Sequence, residues 1–177
     1  PKEFRTLTGK ISPADLRAHS YLLNRGLTQY DILYNKIGHC IDGDYAGRII
    51  IPSFDEEGYV NYFMARTYSQ HWTKYKNPST SKDIIFNELN IDWDSDVILV
   101  EGIFDSIFAM NSIPLLGSTL REDSKIFQKI IMNDSSVFVA LDSDAEKKAM
   151  KIAKTLLKYD IEVWKIDVPP EKDVGDM

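Results

Sequence analysis

From residue 97 onward, short apolar runs alternate with segments that have the spacing of amphipathic helices. The runs VILV, IPLL, VFVAL and IEVW are each long enough for a strand, and the segments between them repeat apolar residues at helical intervals. Strands that are apolar along their whole length are typical of a parallel sheet covered by helices. The sequence therefore predicts an α/β domain over residues 93–177, built on a parallel sheet flanked by helices.

The first part of the chain, residues 1–92, has a different pattern. An N-cap at Ser12 predicts a helix over residues 12–25, and Thr28 begins a second short helix. The stretch GRIIIPSFDEEGYVNYFMARTY reads as two strands joined by an acidic turn. The polar segment KYKNPSTSKD that follows is predicted to be a surface loop. We expect these elements to form a smaller N-terminal α+β subdomain.

The formal net charge of −6 is unevenly distributed. Residues 1–92 carry 11 Lys+Arg and 11 Asp+Glu, whereas residues 93–177 carry 10 and 16. Taken alone, a net acidic chain argues against a nucleic-acid partner, but this distribution changes that conclusion. The whole deficit lies in the half that also holds three acidic clusters, where bound divalent cations would offset it.

Cysteine content and hydropathy indicate the redox compartment of the protein and whether it enters a membrane. A single cysteine, Cys40, can form neither an intramolecular disulfide nor a CxxC zinc site, so we expect a reducing, intracellular compartment and a buried apolar role for Cys40. The longest apolar runs are strand-sized, so we expect a soluble protein without a membrane partner. Because its first residue is not methionine, we expect the chain to be part of a longer polypeptide.

Acidic side chains follow three of the predicted strands. They are Glu101 and Asp105 in ILVEGIFD, Asp142 and Asp144 in VFVALDSD, and Asp173 and Asp176 in PPEKDVGD. The carboxyl ends of parallel strands meet at one edge of a sheet, and carboxylates there suit Mg²⁺, which bridges enzyme carboxylates to phosphates. Asp142 and Asp144 can both face one site only if the chain turns there, and Asp144 has an alternative role as the N-cap of a helix beginning at Ala145.

The elements EGIFD, LDSDA and KDVGD resemble the signature of the TOPRIM fold, which DnaG-type primases, topoisomerases and some nucleases share. The resemblance covers roughly residues 97–177. In that family a glutamate after the first strand and a later DxD pair serve catalysis and hold divalent metal. The resemblance implies that Glu101, Asp142 and Asp144 are catalytic. It also implies a Mg²⁺ site, in which Mn²⁺ can substitute, with the ligands Glu101, Asp105, Asp142, Asp144 and Asp173.

The first part of the chain is similar to the strand pair and basic motif of the primase core, in which an arginine and a lysine–tyrosine–asparagine cluster face nucleotide and template. The resemblance implies nucleotide or template contacts by Arg48, Arg66, Lys74, Tyr75 and Asn77. The two halves together resemble the RNA-polymerase core of a DnaG-type primase, and most of all the compact phage versions.

That resemblance implies Mg²⁺-dependent nucleotidyl transfer that synthesises short RNA primers on a single-stranded DNA template from ribonucleoside triphosphates. It further implies a replicative helicase as partner and a cytoplasmic location, in the host if the chain is phage-encoded. The sequence departs from the primase pattern in several places. The pattern usually has glycine where this chain has Ser143 and Glu146 to Lys148, and a basic residue where this chain has Asn87.

Several alternatives stay open from the sequence. The same carboxylates would serve a TOPRIM nuclease or a topoisomerase-like phosphodiester cleavage. A receiver-like signalling module also has an acidic Mg²⁺ pocket, with Lys172 as its lysine. Arg66 has the alternative of pairing with hairpin acids, and Tyr75 that of covering apolar surface. The three histidines are assigned surface or packing roles, although His71 and Trp72 are placed where they could stack on a nucleic-acid strand.

Overall fold

The computed structural model describes residues 1–9, 11–69, 72–117 and 119–168. Strands and helices alternate in its second half and mix in its first. In chain order the elements are β1 (Phe4–Thr6), α1 (Leu16–Asn24), α2 (Gln29–Tyr34), β2 (Gly38–Cys40), β3 (Arg48–Phe54), β4 (Val60–Thr67), β5 (Val97–Val100), α3 (Ile103–Phe108), β6 (Ser112–Pro114), α4 (Lys125–Asn133), β7 (Val137–Ala140), α5 (Glu146–Leu157) and β8 (Val163–Lys165).

The chain divides into two compact units. The first contains residues 1–53 and 60–80, and the second contains residues 54–59 and those from 81 onward. The predicted division into domains at residues 92 and 93 stays a prediction.

The second unit is built on a parallel four-stranded sheet in the order β6-β5-β7-β8. Alternate residues of its two central strands, such as Leu99 and Val139, are fully buried. Helix α4 adds Phe127 and Ile130 to the same core, and α5 adds Ile152, because each helix keeps its apolar residues on one side. The predicted α/β class, a parallel sheet with flanking helices, is confirmed.

Local contacts define where two helices of this unit begin. Helix α4 begins at Lys125, because the hydroxyl of Ser124 caps the helix by accepting a hydrogen bond from Phe127 N at 3.4 Å. Helix α5 is preceded by a 3-10 turn over Ser143–Ala145, and Ala145 occupies its N-cap position. The alternative assignment of Asp144 as the N-cap is therefore wrong.

The first unit combines a four-stranded sheet, in the order β1-β2-β3-β4, with α1 and α2. Strands β3 and β4 form the predicted hairpin, whose turn is closed by a 2.9 Å hydrogen bond from Asp55 N to Tyr59 O. Cys40 is buried beside Ile50 and Ala65, as expected, and burial raises the pKa of its thiol.

The two helices of the first unit test the capping predictions. Thr28 is the N-cap of α2, as predicted, in a reciprocal pair with Asp31. The prediction that Ser12 begins the first helix is wrong: Ser12 instead closes a turn with Asp15, whose amide donates to Ser12 O at 3.0 Å, and α1 begins at Leu16. Among the helices in the described ranges, none is long and apolar enough to cross a membrane.

Candidate metal centre and basic segment

The order of the strands gives a topological switch point at the carboxyl end of the sheet. From β5 the chain crosses to β6 on one side, and from β7 it crosses to β8 on the other side. In α/β proteins, ligands bind where the loops of neighbouring strands leave in opposite directions. Glu101 directly follows β5, and Asp142 follows β7 by two residues. Because Val100 pairs with Ala140, the two loops start side by side.

A turn after β7 brings the second aspartate into the same place. Asp142 has an extended backbone and begins the 3-10 turn, which is closed by a 2.9 Å hydrogen bond from Ala145 N to Asp142 O. The chain thus turns between Asp142 and Asp144. Such a turn is the condition under which two side chains with the DxD spacing can both face one site. Glu101, Asp142 and Asp144 each offer one carboxylate oxygen, and these three oxygens lie within 4.8 Å of one another.

The chemistry of these carboxylates suits a hard divalent cation. Mg²⁺ binds oxygen ligands at about 2.0–2.1 Å, so two ligands on opposite sides of the ion are about 4 Å apart. Carboxylate oxygens within 4.8 Å can reach that spacing by small side-chain rotations. In addition, Oε2 of Glu101 is buried and accepts no hydrogen bond from any residue in the described ranges. The three residues therefore fit one Mg²⁺ or Mn²⁺ ion.

A lysine that sequence reasoning did not single out lies beside this cluster. Nζ of Lys148 is 3.5 Å from Oε1 of Glu101, and the lysine side chain is only 18% exposed. Lys148 lies in the first turn of α5, three positions after the N-cap residue Ala145. Its partner Glu101 is 47 positions away in the sequence, so no local spacing signalled the pair.

The other two predicted metal ligands have different outcomes. Asp105 is the third residue of α3, where its Oδ2 accepts a 2.8 Å hydrogen bond from Gly102 N and closes the start of the helix. Its role as a metal ligand stays a prediction. Asp173 lies outside the described residues, as do Asp176 and Lys172.

In the first unit, residues 72–77, here called the basic segment, run along the edge of β4. Thr67 N donates to Lys74 O at 3.1 Å, and Lys76 N donates to Ala65 O at 3.0 Å. The side-chain amide of Asn77 adds a contact, because its Oδ1 accepts from Ala65 N at 3.1 Å. The predicted surface loop is thus held to the sheet by backbone hydrogen bonds.

Arg48 anchors this segment from beneath. It is the first residue of β3 and only 5% exposed, and its guanidinium donates to Thr73 O at 3.1 Å and to Lys74 O at 3.3 Å. The structure therefore shows Arg48 in contact with the backbone of the basic segment, while its predicted contact with nucleotide or template stays a prediction.

The outer side of the basic segment carries a different group of side chains. The guanidinium of Arg66 lies over the ring of Tyr75, 5.1 Å from the ring centre, and donates to its hydroxyl. Lys74 and Tyr75 are exposed, and Trp72 is 94% exposed. These side chains present positive charge and aromatic faces to solvent, and such a surface suits single-stranded nucleic acid. His71 lies outside the described residues.

A buried histidine in the same unit was also missed as a paired group. Nε2 of His39 is 2.8 Å from Oδ1 of Asp15, and Ser12 Oγ donates to the other carboxylate oxygen. These two hydrogen bonds lower the pKa of Asp15 to about 2. The packing role predicted for His39 agrees with its complete burial.

The fold matches that of solved primase structures. The chain superposes on the zinc-binding and RNA-polymerase domains of the Aquifex aeolicus primase with a TM-score of 0.74 and 22% identity, over 89% of this chain and 51% of that one. For the Escherichia coli primase catalytic core, the TM-score is 0.75 and the identity 19%, over 93% and 69% of the two chains. For a DnaG primase catalytic domain bound to single-stranded DNA, the values are 0.73 and 18%, again over 93% and 69%.

These likenesses establish the fold. The chain spans about half the length of the Aquifex structure and somewhat more than two thirds of the other two. No protein-family model and no curated protein matches the sequence.

Proposed function

We propose that the chain is the RNA-polymerase core of a DNA primase, with a TOPRIM domain as its second part, most like the phage enzymes. In this proposal it synthesises short RNA primers on single-stranded DNA from ribonucleoside triphosphates. The observation that carries the proposal is the convergence of Glu101, Asp142 and Asp144 at the carboxyl end of the parallel sheet, in a chain whose fold is that of primase catalytic cores.

The acidic cluster would hold Mg²⁺, or Mn²⁺ in its place, through Glu101, Asp142 and Asp144. A bound ion would lower the pKa of the attacking hydroxyl and would stabilise the negative charge of the reacting phosphate. Asp173 is proposed as a further ligand. Asp105 is proposed to contribute as well, and through its cap on α3 it fixes the loop that carries Glu101.

The basic segment would bind template or nucleotide. Arg66 offers a planar fork to phosphate oxygens, Lys74 offers a mobile point charge, and Tyr75 offers a face for a base. Arg48 and Asn77, which hold this segment to the sheet, are proposed to share these contacts. One structure with this fold is bound to single-stranded DNA, which supports a DNA template. A replicative helicase as partner and a site of action in the cytoplasm follow from the proposed role.

The test compares the natural chain with Asp142→Asn, using labelled single-stranded DNA, ribonucleoside triphosphates and Mg²⁺. We expect the natural chain to make short oligoribonucleotides and Asp142→Asn to lose this activity by at least about 100-fold, because a ligand for the charge-neutralising ion is removed. The matched control is Asp160→Asn, the same chemical change at an exposed turn after α5, which should leave activity unchanged.

The products also separate this proposal from its alternative. Cleavage of the DNA without oligoribonucleotide synthesis would assign a TOPRIM nuclease or a topoisomerase-like activity instead. Full primer synthesis by Asp142→Asn would refute the proposed role of the acidic cluster.

A further inference from the structure

The acidic cluster of the second unit contains a cation of its own. Lys148 reaches from α5 to within 3.5 Å of Oε1 of Glu101, the residue that follows β5. Neither side chain is highly exposed, since Glu101 is 34% and Lys148 18% accessible. The cluster therefore combines three carboxylates with one ammonium group.

This ammonium group lies where it must affect a second cation. The oxygens of Glu101, Asp142 and Asp144 that would bind an ion lie within 4.8 Å of one another. Lys148 contacts one of these three residues, Glu101, at its Oε1. An ion at the cluster would thus lie a few ångströms from Nζ. Even at the dielectric constant of water, a unit charge about 5 Å from a divalent ion weakens its binding by about threefold to twentyfold, depending on how strongly salt screens the charges.

The distance also shows that Lys148 is not fixed in place by Glu101. At 3.5 Å the pair is an ion contact, longer than the 2.7–2.9 Å of a charge-assisted hydrogen bond. Lysine has a flexible four-carbon stem and a compact charge, so Nζ can move to a new anionic partner at small cost. Any phosphate that approached a metal ion at this cluster would bring such a partner.

We propose that Lys148 is a resident counter-cation that competes with the divalent ion for Glu101 and turns to the phosphate oxygens of the substrate when the ion binds. The inference rests on the proposed metal site. It assigns Lys148 a positioning role that couples metal and phosphate binding. Bound phosphate draws Lys148 away from Glu101, which leaves Glu101 available to the metal ion. A bound metal ion displaces Lys148 from Glu101, which leaves Lys148 available to phosphate. Such coupling is reciprocal: phosphate strengthens metal binding by the same factor by which metal strengthens phosphate binding.

The first measurement is Mn²⁺ affinity of the whole chain in the absence of nucleotide, followed by the electron paramagnetic resonance signal of free Mn²⁺. We expect Lys148→Met to bind Mn²⁺ about threefold to twentyfold more tightly than the natural chain, because a competing charge is removed. Lys148→Arg keeps the charge and should stay within about twofold of the natural affinity. The matched control is Lys147→Met, which removes the same charge from an exposed neighbour on α5.

The second measurement is calorimetric binding of inorganic tripolyphosphate at saturating Mg²⁺. Here we expect Lys148→Met to bind about fivefold or more weakly than Lys147→Met, because the phosphate loses a charged partner. Since both variants are compared at one Mg²⁺ concentration, complexation of the anion by free Mg²⁺ affects them equally.

Failure of this inference and failure of the metal site give different results. If the natural chain binds Mn²⁺, Asp142→Asn does not, and Lys148→Met behaves like Lys147→Met in either measurement, the role of Lys148 is overturned while the metal site stands. If neither the natural chain nor Asp142→Asn binds Mn²⁺, the metal site and the role of Lys148 are overturned together.

Discussion

Replacing Arg48 by methionine would remove the anchor of the basic segment while keeping the bulk of the side chain. The change eliminates two charge-assisted hydrogen bonds, at 3.1 and 3.3 Å, to the carbonyls of Thr73 and Lys74. Hydrogen bonds to a charged group contribute about 1.5–3 kcal/mol each, and the greater length of the second bond places it at the lower end. We therefore expect the free energy of unfolding to fall by about 3–4.5 kcal/mol. In a chain of this size that lowers Tm by about 6–18 °C.

The same variant should loosen the basic segment locally. The amides of Thr67 and Lys76, which bond across the edge of β4 at 3.1 and 3.0 Å, should exchange hydrogen faster in Arg48→Met, and the affinity for single-stranded DNA should fall. The control is Arg66→Met, which alters a more exposed arginine on the neighbouring strand and should cost less than about 1 kcal/mol of stability. Unchanged Tm and unchanged exchange at Lys76, together with weakened nucleotide binding, would refute the anchoring role and favour a direct ligand role.

Two further predictions concern groups with a defined local role. Replacing Asp105 by alanine removes the cap at Gly102 and should lower the free energy of unfolding by about 1 kcal/mol. If Asp105 also binds metal, the Mn²⁺ affinity measured by titration will fall as well. An unchanged Mn²⁺ affinity would restrict the role of Asp105 to capping. The pKa of Asp15 is lowered to about 2 by its hydrogen bonds with Ser12 and His39. The contribution of Asp15 to stability is therefore complete above about pH 4 and is lost as the pH falls towards 2. In denaturant titrations, Asp15→Asn should lose less stability than the natural chain over that range, and an identical pH profile would contradict this role of Asp15.

Much of the fold follows from the sequence because burial dictates the pattern. Strands such as VILV and VFVA are apolar throughout and were recognised as buried parallel strands, since few other structures bury such short runs. Helix starts were less accurate. Ser12 satisfies the rule for an N-cap, but its hydroxyl and amide bond to Asp15 and close a separate turn first. Choosing between Ser12 and Asp15 requires knowing where α1 packs, which local preference does not encode.

The site shows the same division between what is local and what is not. The three carboxylates were predicted because they come within four residues of the ends of two strands, and parallel strands end at a common edge. The partner of Glu101 was not, since Lys148 is 47 positions away in the sequence and reaches it only through the β5–β7 pairing. Arg48 was expected to contact nucleotide or template because the strand pair that it begins resembles that of the primase core. Its burial under the basic segment depends on the path of residues 72–77, which has no periodicity that a sequence pattern could reveal.

The packing of the sheet explains how three carboxylates can be held together before any ion binds. Two unit charges at 4.8 Å, the upper limit of the separations among these oxygens, repel by about 1 kcal/mol at the dielectric constant of water and by about 3–4 kcal/mol at an effective value of 20. Three such pairs therefore oppose the fold by about 3–10 kcal/mol, of which Lys148 recovers part. Burial of a Val or Leu side chain contributes about 1.5–3 kcal/mol, and four fully buried residues, Val97, Leu99, Val137 and Val139, lock the β5–β7 pairing. Burial of these four side chains is thus large enough to hold the carboxylates together against their mutual repulsion. It follows that Asp142→Asn should keep or raise Tm while losing metal, an outcome that a purely structural role for Asp142 does not produce.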